Sequence, residues 1–141
     1  MRPFVFELEK LLMLRKFYED GAKIELGRAV GVLAELERKI EALASERVRA
    51  AAAQFSPGNS VIEIQQYMYY LVRLDNTKER FLKEAAIAEM KVEEAREAFL
   101  EASRERKVLD KLKEKKQKEY HRIKLNEETK VLDDRRYGIT A

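Results

Sequence analysis

The sequence has no cysteine and no tryptophan, two prolines, five glycines and one histidine. Without cysteine there is no disulfide scaffold, no thiolate metal site and no thiol nucleophile. His121 stands alone, with no HExxH or HxH spacing around it, so imidazole metal sites and histidine dyads are excluded. The glycines form neither a GxGxxG nor a Walker pattern, which argues against nucleotide binding. No apolar run approaches the roughly 18 residues that span a bilayer. Glu7, Glu9 and Lys10 occupy the place where a signal peptide needs its apolar core. The expectation is a cytoplasmic, non-enzymatic protein with no metal or other cofactor and no small-molecule substrate.

What is present belongs to long helices. Charged residues make up 39% and apolar ones 45% of 141 residues, with Ala, Glu, Lys, Leu and Arg dominant, so one elongated domain is expected over residues 1–141. A net charge of +3 is too small to argue for nucleic acid. A nucleic-acid arm also needs a face of aromatic and basic residues, for which Tyr120 among lysines is thin support.

From Ser60 to about Arg136 no proline or glycine intervenes, and the pattern predicts one helix of about 75 residues, on the order of 110 Å. Its seam runs Tyr67, Leu71, Leu74, Phe81, Ala85, Ala88, Val92, Ala95, Phe99, Ala102, Leu109, Tyr120 and Ile123 in steps of four and three. Lys78, Arg106, Lys113 and Lys116 interrupt that frame without shifting it. Only another helix buries so narrow a stripe. A first helix is predicted over Phe4–Gln54. Its frame includes Val5, Leu8, Leu12, Ala22, Leu26, Ala29, Leu33, Leu36, Ile40, Leu43 and Ala50, with Arg15, Glu19 and Arg47 as polar exceptions. Gly21, Gly27 and Gly31 mark bends or places where something packs against bare backbone.

Between the helices, Pro57-Gly58 is a turn dipeptide, and Ser60 with Glu63 forms a capping-box pattern. So short a turn, over 55–60, predicts an all-α fold of two long helices in an antiparallel coiled coil. Position sums near 114 bring the seams together: Leu33 meets Phe81, Arg15 lies beside Phe99, and pairing ends where Val5 meets Leu109. About 26 residues from Asp110 then overhang, on the order of 39 Å. Arg104 to Lys124 carries ten Lys or Arg against four Glu or Asp, more excess charge than the whole chain has. A solvated helix laced with i,i+4 pairs accounts for these charges, and so does a docking element, since Leu109, Leu112, Tyr120, Ile123 and Leu125 lack an internal partner.

Both ends of the chain resemble the flagellar export protein family FliJ. At the start, Phe4, Phe6, Leu8, Glu9, Leu11, Leu12, Leu14, Arg15, Lys16 and Glu19 carry the likeness. At the far end it is the block Glu105-Arg106-Lys107, Leu109 to Lys115, then Glu127-Glu128, Lys130 and Leu132-Asp133-Asp134. The resemblance implies a stalk-like coiled coil that partners the hexameric flagellar export ATPase. It also implies contacts with the cytoplasmic domain of the export-gate membrane protein and with export chaperones, at the inner membrane of the flagellar base. By the same likeness, together with the charge of the overhang, the ATPase contact is expected at Phe4, Leu8, Leu11, Arg15, Arg106, Lys107, Leu109, Leu112, Lys113, Lys115 and Lys116. The gate contact is expected on the Gln65-Gln66-Tyr67 stretch, at Tyr67, Leu71, Leu74 and Lys78. All four also fall on the seam, where packing alone accounts for them. Two alternatives share the layout: the stalk of a virulence injectisome, and a coiled-coil holdase of the prefoldin kind. The latter needs β-strands between its helices, for which residues 55–60 leave no room.

Overall fold

The computed structural model describes residues 2–140; the outermost residues of the expected domain, Met1 and Ala141, lie outside them. Two helices account for nearly all of it: α1, Glu9–Gln54, and α2, Val61–Thr140. They pack against each other as an antiparallel hairpin, and there is no strand among the described residues. The chain divides into two compact units, each holding a stretch of both helices. A turn unit spans Ala22–Phe99, and a terminal unit joins residues up to 21 with those from 100 onward.

In the turn unit the local chemistry is that of two capped helix ends. The Ser60 hydroxyl accepts from the Glu63 amide at 3.2 Å, and the Glu63 carboxylate accepts from the Ser60 amide at 3.1 Å. This reciprocal box satisfies two donors that a helix start leaves free. At the other end, the Asn59 side-chain amide donates to the carbonyls of Ala53, at 2.8 Å, and Gln54, at 3.1 Å. Those are two of the carbonyls that α1 leaves without a helical partner. Gly58 turns the chain at φ +93°, in the left-handed region that favours glycine.

Beyond the turn the seam is thin. Ala50, Leu74, Ala85, Ala88 and Val92 are buried, and Leu33, Leu36, Ile40 and Leu43 are half-buried. Alanine at the contact lets two helices approach closely, but it removes little apolar area from water, so polar cross-links matter more than in a thick core. Arg47 grips Asp75 with two hydrogen bonds, at 2.6 and 3.3 Å. The Tyr70 hydroxyl donates to Glu46 at 2.7 Å. The Lys39 ammonium lies 5.7 Å from the centre of the Phe81 ring.

These contacts correct the expected register. Phe81 stands opposite Lys39, not Leu33, and positions facing each other sum to about 120 in place of 114. α1 begins at Glu9, not Phe4, and α2 continues through Gly138 to Thr140, past the expected end near Arg136.

Gly27 and Gly31 lie inside α1 with open space where a Cβ would sit. Nothing packs against their backbone, so they carry only the helix penalty of glycine, about 1 kcal/mol each relative to alanine. The pair Gly27→Ala, Gly31→Ala is expected to raise the melting temperature by several degrees, read by circular dichroism at 222 nm (the helical band). An unchanged or lowered melting temperature would show that these positions need glycine.

Candidate protein-interaction site

The terminal unit brings together two segments that stand at opposite ends of the sequence. Residues 2–6 lie outside any helix or strand, and burial alternates along Phe4 to Glu7. Phe4 and Phe6 turn toward α2, whereas Val5 is 76% exposed and Glu7 is exposed. That period of two differs from the helical three or four, in keeping with a segment that precedes α1. Phe6 forms a small core with Leu12 and Leu109, against which Phe4 and Leu112 pack. Leu12 is fully buried. The Phe4 ring lies 5.6 Å from that of Tyr120, and the Tyr120 hydroxyl donates to the Arg2 carbonyl at 2.5 Å.

This N-terminal arm overturns the expected end of pairing. Val5 has no seam partner, and pairing does not stop at Leu109 but runs on to Tyr120 along the arm. Beyond Tyr120, from His121 to Gly138, every described side chain is exposed. Ile123, Leu125, Val131 and Leu132 are the apolar ones among them.

Charge meets charge across the same seam. Lys113 pairs with Glu9 at 2.8 Å, Arg15 with Glu105 at 2.6 Å, and Arg106 with both Glu19 at 3.0 Å and Asp110 at 2.7 Å. Arg15 therefore has Glu105 as its partner across the seam, and Lys113 does not project beyond the paired region. Burial alone would raise the Glu19 pKa, but hydrogen bonds from Arg106 and Ser103 outweigh it and hold the carboxyl below its usual value. Asp110 and then Glu19 hold the Arg106 guanidinium above its own.

The residues expected to meet the ATPase thus share one unit but divide by exposure. Leu109 is core, Phe4 and Leu112 are half-buried, and Arg15, Arg106 and Lys113 are engaged in ion pairs. Leu8, Leu11, Lys107, Lys115 and Lys116 are exposed. A hollow of about 340 Å³ between arm and helix is lined by Phe4, Phe6, Leu8, Leu112, Lys116, Tyr120 and Ile123, among others.

In the turn unit, Leu74 is buried at 8% exposure, and Tyr67, Leu71 and Lys78 are half-buried on the seam. The more exposed side chains of this stretch are Val61, Ile62, Met68, Tyr69 and Val72, which seam periodicity passes over because it selects only the inward face. A shallow depression of about 680 Å³ opens among Asn59, Glu63, Gln66, Tyr67, Tyr69, Tyr70 and Arg73. Beneath it, Arg49 and then Tyr70 hold the Glu46 carboxyl down at about 2.

Among the described residues, no group of three His, Asp or Glu side chains is placed to hold a metal ion. No helix is long and apolar enough to cross a membrane. The profile of the family described as Flagellar FliJ protein matches residues 4–137, from the arm nearly to the end of α2. The chain belongs to the FliJ family. No curated protein and no solved structure gives a match. FliJ membership carries a flagellar, export-related role, and it covers both segments that the terminal unit brings together.

The Glu19–Arg106 pair is testable through its pH dependence. A carboxyl whose folded pKa is depressed stabilises the fold above its unfolded value and loses that contribution as pH falls through the folded one. Arg106→Ala is expected to destabilise the protein by about 1–2 kcal/mol near neutrality. The deficit is expected to shrink steadily below about pH 4.5, the ordinary carboxyl range. Paired thermal melts of the two proteins between neutral and acid pH measure it. A deficit independent of pH would mean that Arg106 acts through its stem alone.

Proposed function

We propose that this FliJ-family chain is a non-enzymatic, stalk-like partner of the hexameric flagellar export ATPase. In this reading it couples the ATPase to the cytoplasmic domain of the export-gate membrane protein and to export chaperones, in the cytoplasm at the inner membrane of the flagellar base. The observation that supports it most is the meeting of Phe4 and Leu8 with Leu112 and Lys116 around one hollow, beside a core that holds Leu109, with Leu11 exposed in the same unit. Exposed leucines beside a basic helix suit a partner that offers apolar pockets ringed by carboxylates. The core and ion-paired members of that group position the exposed ones.

Leu8→Ala, Leu11→Ala and Lys116→Glu combined are expected to weaken binding to the export ATPase by at least tenfold and to lower its stimulation in parallel. The helical circular-dichroism signal is expected to stay unchanged, because none of the three is buried or engaged across the seam. Wild-type binding should also fall with added salt, since exposed charges are screened within about 10 Å at 0.1 M. Full stimulation by the triple variant would place the ATPase contact elsewhere.

At the turn unit, Tyr67→Ala with Leu71→Ala is expected to reduce binding to the gate domain while leaving ATPase binding intact. Aromatic anchors commonly dominate interfaces of this kind. Both residues also pack on the seam, so a loss of stability is expected alongside. Normal gate binding together with a lowered melting temperature would assign them to the core alone.

A further inference from the structure

α2 carries a second charged feature, on the side of the helix opposite Leu109, Lys113 and Tyr120. Lys107, Lys111, Lys115, Lys118 and Arg122 follow one another at steps of four, four, three and four. At about 100° per residue they fall within an arc of about 80°, over roughly 22 Å of helix. The centre of that arc lies opposite Leu109, Lys113 and Tyr120, the residues that meet α1 and the arm. All five cations are exposed. Lys111, Lys115 and Arg122 have no ion pair among the described residues. Lys118 meets Glu114 at 3.2 Å but is 77% exposed, so that pair holds it weakly. Lys107 acts on Glu19 only through space. The acids of this stretch, Glu105, Asp110, Glu114 and Glu119, all fall outside the arc.

We propose that this stripe docks the chain on an anionic phospholipid surface. A straight row of cations on one face of a helix presents all its charges to a plane at once, whereas a curved protein surface meets only part of it. Four of the five are lysines, compact hydrated charges that suit diffuse attraction to headgroups; bidentate recognition of protein carboxylates favours arginine. Val108 and Leu125, 65% and 62% exposed, flank the stripe and reach the headgroup layer when the helix lies flat. No broad apolar face accompanies them, so the mode is surface adsorption by charge, without insertion. Lys116 lies about 140° around the helix from the centre of the stripe, so it stays free for a protein partner while the lipid surface is engaged.

Co-sedimentation with vesicles tests this on the full chain. The wild type is expected to bind vesicles of phosphatidylglycerol and phosphatidylcholine in equal parts, to ignore pure phosphatidylcholine, and to be released by salt. Lys111→Glu, Lys118→Glu and Arg122→Glu combined are expected to cut partitioning by at least about tenfold with unchanged helicity. The same charge change at Lys23, Lys83 and Lys91 is expected to cost far less. Equal losses in the two variants would reduce the effect to net charge and overturn the proposal, as would wild-type binding that ignores lipid charge. A stripe variant that binds vesicles normally but loses the export ATPase would reassign the stripe to an acidic protein surface.

Discussion

Where Glu9 meets Lys113, Arg15 meets Glu105, Glu19 meets Arg106 and Arg47 meets Asp75, charge faces charge, and at least one partner of each pair stands at a position that a heptad frame reserves for an apolar residue. A seam of alanine, valine and leucine holds two helices together but barely distinguishes one alignment from another. Sliding one helix by a heptad brings the same kinds of residue face to face, and the buried area changes little. A mispaired Glu19 or Arg106 is more costly, because it leaves a half-buried charge without a partner. The polar residues therefore select the alignment, and the apolar ones supply the attraction.

This division decides what was legible. Helix content, the antiparallel arrangement, the turn and the Ser60–Glu63 box follow from local signals, each carried by neighbouring residues, and all are present. The alignment is a non-local property. The expected sum of 114 and the observed value of about 120 differ by nearly one heptad, the slip that an apolar frame tolerates best. Reading Arg15, Glu19, Arg47, Arg106 and Lys113 as tolerated interruptions discarded the information that fixes it. Asn59, which caps α1, lay in plain view, but its role depends on the turn folding back onto two particular carbonyls.

The N-terminal arm was misread for a different reason. Phe4, Leu8 and Leu12 are spaced as a helix would space them, while Phe4 and Phe6 are spaced as an extended chain would. Intrinsic propensity does not separate the two over so few residues, and tertiary packing settles it. α2 runs on past the start of α1, leaving Tyr120 without a helical partner, and there its ring meets Phe4 and its hydroxyl donates to the Arg2 carbonyl.

The basic character of α2 separates by face once the register is known. On the inner face Arg106 and Lys113 are neutralised by Glu19, Asp110 and Glu9, so they contribute to alignment and little to the outward field. On the outer face Lys107, Lys111, Lys115 and Arg122 keep their charge in water, where it acts over about a Debye length. A net charge of +3 spread evenly would steer nothing. Concentrated on one side of one helix, and cancelled on the other, it orients the terminal unit toward whatever anionic surface it approaches. Helical spacing groups the lysines by face, and the ion pairs across the seam show which face is turned inward.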